Sequence, residues 1–426
     1  MVFYLGIFLT LSLLIIGLLS SSYKYPLLVS ILARPVIDAT WNFRFAGLNL
    51  IYVFNGIFVL IFLYRVLFRK EKLYGIRYGS LFAGYLLVLL PVTTHILLNK
   101  GYFIALEFFF KTVLFPLSFY LFYRHFSSHQ EGKLVSGALV LAGFFPVIMI
   151  VIQRITGSIG VFGLARGLTR IVGLYHDSVS TRSYLVLTLL GVFLYWHYFL
   201  KKKDKWKRTL LLFFAGLLIW GLYNQYSKTI VITAIAWTVI FALYRKKLYV
   251  LPAVLCLGVL ANGISQNRVF SEVQQVFSRE LDFVSGNENA NILAGRTIMW
   301  GRALDTWETL PLMRKIIGDG VGDWGIHNDY MRMLFNGGII FLGFSILIMA
   351  ILLFRINLNY AKKHEFIHFA ALLGFIYFFV ESLGTTPGMY PNLSVVIWGL
   401  VGVSMNKNFD WKGAAVAKAA HAQEKL

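Results

Sequence analysis

The residues best suited to chemistry lie late in the chain. His327-Asn328-Asp329 closes a glycine-rich run, Gly318-Asp319-Gly320-Val321-Gly322-Asp323-Trp324-Gly325. An imidazole exchanges protons near neutral pH, which makes His327 the leading general-base candidate. The glycines predict a tight bend that delivers His327 to the start of a short helix over 327–335. A helix start offers free backbone N–H groups and a positive dipole end, which favour anions and keep a histidine neutral. Asn328 and Asp329 stand where they could orient the ring. The plainer alternative is structural, with His327 capping that helix and its neighbours serving the same end. No Gly-Lys-Ser/Thr follows these glycines and no Rossmann strand precedes them, so a nucleotide loop is set aside.

Cations surround this segment in the sequence. Arg296 follows Gly295, and Arg302 comes six residues later. An earlier connection, roughly 154–182, holds Arg154, Arg166, Arg170 and Arg182 against the single acid Asp177. Guanidinium forks match phosphate oxygens two at a time, so the cluster reads as an anion site. Lipid-headgroup contact, or pairing with acids of the later loop, explains it equally well. Lys228 sits in a short connection, Asn224-Gln225-Tyr226-Ser227-Lys228-Thr229. It could face a cavity or snorkel to the interface.

The elements that must carry these groups are membrane helices. The chain is 58% hydrophobic and only 14% charged, against about a quarter charged in soluble proteins. Apolar runs at 2–20, 46–67, 78–98, 103–123, 135–153, 183–200, 209–225, 229–244, 249–264, 338–355, 366–383 and 392–405 predict about 12 transmembrane helices. The fold class is therefore all-α, a polytopic helical bundle with a large periplasmic loop containing short helices. Spans 1–9 occupy 1–264, the large loop 265–337, spans 10–12 occupy 338–405, and 406–426 is a cytoplasmic tail. The stretch 25–33 is too short to span and is expected at the interface.

The basic clusters fix the expected orientation. Arg69-Lys70-Glu71-Lys72, Lys201 to Arg208, Arg245-Lys246-Lys247 and Lys362-Lys363 all fall on one side when both chain ends are cytoplasmic. The formal charge of +21 is explained by this bias, so no nucleic-acid partner is implied. The loops 154–182 and 265–337 then face outward, and the second holds nine of the 19 acidic residues. Within it Met299, Ala303, Trp307 and Leu310 predict one apolar helix face. The single Cys256 excludes a disulfide, and the nine histidines form no metal-ligand spacing. Neither a metal nor another cofactor is expected.

Taken together, these motifs resemble the O-antigen polymerase and O-antigen ligase superfamily of bacterial membrane glycan transferases. The likeness runs through Gly295-Arg296, Trp300, Gly318-Asp319-Gly320, His327-Asn328-Asp329-Tyr330-Met331 and Gly337-Gly338-Ile339. Upstream, Arg170-Ile171-Val172-Gly173-Leu174-Tyr175-His176 and Gln225-Tyr226-Ser227-Lys228 are similar to two further family motifs, with lysine replacing the usual arginine at 228.

The resemblance implies an inner-membrane enzyme without metal or nucleotide sugar. It would move glycan from undecaprenyl pyrophosphate to a sugar hydroxyl on the periplasmic face, inverting the anomeric centre. His327 is then the base, with Arg296 catalytic beside it. Arg170, Lys228, Arg302, Arg166 and Arg182 bind pyrophosphate, and Asn328 and Asp329 orient the base. Partners implied are the undecaprenyl-linked glycan, an acceptor glycan lipid, membrane lipids and a chain-length regulator protein. Polymerisation of surface polysaccharide repeats is the leading expectation, and ligation to lipid A-core the alternative. The rival from another class is a lipid-linked sugar transporter, to which Glu107, Lys111 and Glu381 in the spans would belong.

Overall fold

The computed structural model describes residues 1–45, 48–69, 79–157, 160, 162–165, 167–201, 203–285, 295–320 and 326–406. Arg166 and the segment 321–325, both part of the expectations above, lie outside the described residues, as does the tail from 407. The fold is an all-α polytopic bundle. Its helices are α1 (Val2–Leu19), α2 (Lys24–Asp38), α3 (Leu50–Leu67), α4 (Gly79–Lys100), α5 (Tyr102–His125), α6 (His129–Ala142), α7 (Phe144–Thr156), α8 (Ser178–Phe199), α9 (Lys205–Tyr223), α10 (Lys228–Tyr244) and α11 (Val250–Ile264). Then come α12 (Arg268–Val276), α13 (Ser278–Val284), α14 (Arg296–Thr309), α15 (Leu312–Ile317), α16 (Asp329–Lys363), α17 (Phe366–Gly384) and α18 (Pro391–Met405). Among the described residues, nine spans are long and apolar enough to cross a membrane, with α6 and α7 counted as one. The count is ten if the bent pair α11–α12 is included.

Helices that are apolar all round are enclosed by other helices or by lipid, and here α8 and α18 are enclosed by other helices. Helix α18 is buried along all 15 residues. Helix α8 buries 15 of its 22 residues, including Arg182. These two form the centre, with α5, α6 and α17 against them. Trp398 of α18 illustrates the packing, its ring lying 4.1 Å from Phe115 and 5.3 Å from Phe378.

One expectation needs correction. The stretch 25–33 does not stay at an interface but forms most of α2, which buries nine of its 15 residues. Its charges are satisfied internally: Arg34 pairs with Asp38 at 2.7 Å and bonds Asn55 of α3, and the Tyr184 hydroxyl of α8 donates to Asp38 at 2.5 Å. The helix therefore runs back through the bundle, so α1 and α3 point the same way. Phe3 stacks on Phe43 near the start of α3. At the other end Arg65 donates to the carbonyls of Ser20 and Ser21, and Arg69 to that of Leu18. Asn406 joins this second end through the Tyr123 and Phe126 carbonyls, and Tyr23 stacks on His125 there. The chain's first residues and residue 406 thus occupy opposite ends of the bundle, where both termini were expected together.

The long helix α16 is two pieces. Gly338 leaves helical geometry at φ 64° and ψ −164°, separating a short outer helix from the span that follows. A Cβ at Gly338 would collide with the Ile316 carbonyl, and one at Gly318 with that of Asn336. The Asp319 N–H donates to the Phe335 carbonyl at 2.7 Å. Two glycines are needed because two backbones touch here.

Candidate functional site

The described ones among the expected site residues lie at the end of the bundle opposite Arg65 and Asn406, most of them in two neighbouring groups. The first is built on α8, α17 and the start of α16. Arg182 forms a two-pronged ion pair with Glu381, Nε to Oε1 at 2.6 Å and Nη2 to Oε2 at 2.7 Å. Both are buried, and Thr385 donates to the same carboxylate at 3.1 Å. Arg182, expected in a loop to bind pyrophosphate, is thus a span residue already neutralised by Glu381.

Arg296 is different. It opens α14 after Gly295, whose φ of 83° suits glycine. Its guanidinium lies against Gly384 at the end of α17, where an added Cβ would approach Nη1 to 3.2 Å. The residue is half-buried. Burial, then the nearby Arg182 charge, holds its pKa below the usual guanidinium range, with Glu381 acting the other way. Among the described residues no carboxylate pairs with Arg296 at ion-pair distance. It is a half-buried cation with no fixed counter-ion among the described residues.

His327 reaches the same place from the other side. The Trp300 indole of α14 donates to the Ile326 carbonyl at 2.9 Å, and Asn328 Nδ2 donates to the Leu383 carbonyl at 3.4 Å. Arg296 and Asn328 therefore both contact the Leu383–Gly384 turn, with His327 next in the chain and exposed. The short helix begins at Asp329 rather than 327, and His327 precedes its cap with φ 47°. The orienting roles also need correction. Asn328 is the N-cap, its Oδ1 accepting from the Met331 N–H at 3.0 Å. Asp329 is buried, pairing with Arg332 at 2.6 Å and accepting from the Gly388 N–H at 2.8 Å. Both side chains are committed to the helix start, so neither is left to steer the imidazole.

The apolar face of α14 is turned from the expected one. Trp300, Ala303 and Trp307 pack on Ile326, Met331 and Phe335, whereas Met299 faces outward. Arg302 is exposed on that helix.

The second group lies around the α9–α10 turn. Arg170, on strand β4 (Leu168–Ile171), which pairs with β3 (Phe162–Ala165), donates to the Tyr226 carbonyl at 3.1 Å. Lys228 opens α10, pairs with Glu280 of α13 and lies 5.6 Å over the Phe277 ring. Glu272 of α12 accepts from the Tyr223 hydroxyl and, at 2.6 Å, from Arg268. Burial alone would raise the Glu272 pKa, but the bonds from Tyr223 and Arg268 bring it below the ordinary carboxylate value. The two groups share the β4 end, since Gln225 Nε2 donates to the Ile171 carbonyl at 2.6 Å and Thr181 Oγ1 to that of Val172 at 2.6 Å.

Below both groups runs an apolar groove of about 790 Å³ between α8, α9, α10, α11 and α17. Val186 lines it one turn, about 6 Å of rise, below Arg182, while Tyr226, Ser227 and Glu272 mark its mouth.

Sequence reasoning missed Glu381 as a site residue, and it missed Asp177. Asp177 caps α8 by accepting from Ser180 N–H at 2.8 Å and also accepts from the Tyr390 hydroxyl at 2.6 Å. Burial opposes its ionisation, but bonds from His176, Ser180 and Tyr390 carry its pKa down to about 2. His176 is raised in turn, first by its bond to Asp177, and its ring meets Trp41 edge-on at 4.6 Å. The Asp-Ser-Val-Ser run was a readable cap signal.

Compared with models of known protein families, the chain matches none, and no curated protein matches it.

Proposed function

We propose that the protein is a membrane glycan transferase that uses a polyprenyl-pyrophosphate donor and a sugar hydroxyl acceptor. The observation that carries this reading is Arg296, a half-buried guanidinium with no carboxylate at ion-pair distance among the described residues, held on the same α17 turn as Asn328, next to His327, at the bundle end where a long apolar groove opens. A polyprenyl chain suits such a groove, and its diphosphate would lie at the mouth among Arg296, Arg170 and Lys228. The motif likeness to O-antigen polymerases and ligases points to the same donor. In that reaction the acceptor oxygen attacks the anomeric carbon as the bond to the diphosphate oxygen breaks. Charge grows on the leaving diphosphate, where a preplaced cation lowers the barrier by roughly 2.7–4 kcal/mol. The acceptor proton passes to His327, a contribution of roughly 10²–10⁴-fold, and direct displacement inverts the anomeric centre.

His327→Ala and Arg296→Ala should each abolish glycan transfer while expression and membrane insertion stay normal. Near-normal transfer by His327→Ala removes the base assignment, and by Arg296→Ala the whole donor reading. The acceptor is proposed to be another lipid-linked repeat, as in polymerisation. Purified protein given lipid-linked repeats and no lipid A-core should lengthen chains. Failure there, with transfer restored by lipid A-core, would make it a ligase.

We further propose that the bundle end carrying the basic clusters faces the cytoplasm, as in a bacterial inner membrane. The site and residue 1 then face the periplasm. Leu304→Cys, in a Cys256→Ser background, should react with an impermeant maleimide added outside intact cells. Labelling only after lysis overturns this orientation.

A further inference from the structure

The mouth of the groove is covered by a short segment whose attachments are unusual. Helix α12 turns 109° from α11, through two consecutive left-handed residues, Gln266 at φ 52° and Asn267 at φ 66°. Neither is a glycine, and such conformations cost a side-chain-bearing residue about 1 kcal/mol or more. Across this bend α12 lies over the groove, with Val273 and Val276 facing in, and α13 follows it beside the start of α10. Two carboxylates fasten them down. Glu272 is held by Tyr223 at the end of α9, and Glu280 by Lys228 at the start of α10.

Lys228 is also one of the cations at the place proposed above for the donor diphosphate. We infer that Glu280 is a built-in substitute for a diphosphate oxygen: its carboxylate holds Lys228 until an anionic lipid head group displaces it, freeing α13 and so loosening the adjoining α12 over the groove mouth. This rests on the donor reading. The chemistry favours exchange over permanence. The Lys228 and Glu280 side chains retain exposures of 21% and 24%; Lys228 Nζ itself is covered while paired, but water beside the pair can stabilise each partner as they separate. A diphosphate brings more charge than one carboxylate and several acceptor oxygens, and can engage Arg170 as well as Lys228. A neutral polyprenol fills the groove equally well but offers nothing to Lys228. The latch would therefore select charged carrier lipid over spent, dephosphorylated carrier.

The test uses the full chain in lipid nanodiscs with undecaprenyl diphosphate and undecaprenol as probes. Binding is read by titration, and the state of α13 by hydrogen exchange over Ser278–Val284. In the wild type, undecaprenyl diphosphate should speed exchange over α13 and undecaprenol should not. Glu280→Gln should exchange fast without ligand and bind the diphosphate about fivefold more tightly, with undecaprenol affinity unchanged. Lys228→Gln should also exchange fast without ligand, yet bind the diphosphate more weakly. Equal diphosphate affinity in wild type and Glu280→Gln, or release of α13 by undecaprenol, overturns the latch and leaves the donor reading intact. A wild type that does not bind the diphosphate overturns both.

Discussion

The two cationic groups at the loop end of the bundle use the same residue types in opposite ways. Around α8 and α17, Arg182 and Glu381 are fixed to each other with side-chain exposures of 5% and 0%, and the charge left over belongs to Arg296. Around the α9–α10 turn, Lys228 meets a carboxylate carried on the short helix α13, and both side chains are only half-buried although Lys228 Nζ is covered. A pair sealed from water cannot open cheaply, because each ion would be stranded. A pair at the surface exchanges partners for little. The first group therefore serves as a rigid frame that aims Arg296, and the second as a replaceable contact.

The largest effect expected from this contrast comes from Glu381→Ala. Removing one member of a buried pair costs about 3–5 kcal/mol, and here it leaves Arg182 uncompensated beside Arg296. The melting temperature in detergent should fall steeply, and transfer should be lost with it. Glu280→Ala should cost under about 1 kcal/mol. The double variant Arg182→Met/Glu381→Met should regain much of the lost stability, since well-packed apolar side chains can replace a buried pair. Similar losses from Glu381→Ala and Glu280→Ala would erase the distinction between frame and contact.

A middle-sized effect tests how the frame is built. Gly318 has φ 89°, and a Cβ there would strike the Asn336 carbonyl. Gly318→Ala should cost about 1–3 kcal/mol, and by shifting the start of α16 it should lower transfer more than it lowers stability. Among the described residues no glycine makes a comparable backbone-to-backbone contact with α12 or α13, and the bend before α12 is made by Gln266 and Asn267. Unaltered stability and activity in Gly318→Ala would mean that the first group is no more tightly braced than the second.

Much of this was readable from the chain, and the gaps have a common cause. Hydropathy located the apolar runs because each needs only local composition. The glycine run beginning at Gly318 predicted a tight bend, although not that it would meet Gly338. What stayed hidden were partners far apart in sequence. The stretch 25–33 looked too short for the bundle interior, and α2 enters it because Asn55 of α3 and Tyr184 of α8, distant in sequence, satisfy Arg34 and Asp38. Arg182 looked free because Glu381 is 199 residues away. Asn328 and Asp329 looked available to His327 because their actual partners include Leu383 and Gly388. Polar residues in a membrane protein are judged by what they meet, and spacing does not reveal that.

Acidification gives the smallest and most selective way to separate the two groups. Glu272 and Asp177 both have pKa values lowered by folding, so each stabilises the folded form above its ordinary value and ceases to as pH falls through its folded value. The Glu272 contribution begins to fade below the ordinary 4.5. That of Asp177 begins to fade only below 3.8 and persists towards its folded value of about 2. Lowering the pH from 5 should therefore loosen α12 before it loosens the start of α8. Hydrogen exchange should rise first over Arg268–Val276, while the first turn of α8 stays protected. Glu272→Gln should remove the early phase and leave the later one in place, because Asp177 bonds to Ser180 and Tyr390 and not to the covering helix. A single step in which both segments open together would mean that the cover and the frame form one cooperative unit, and the latch at Lys228 would then have no independent motion to control.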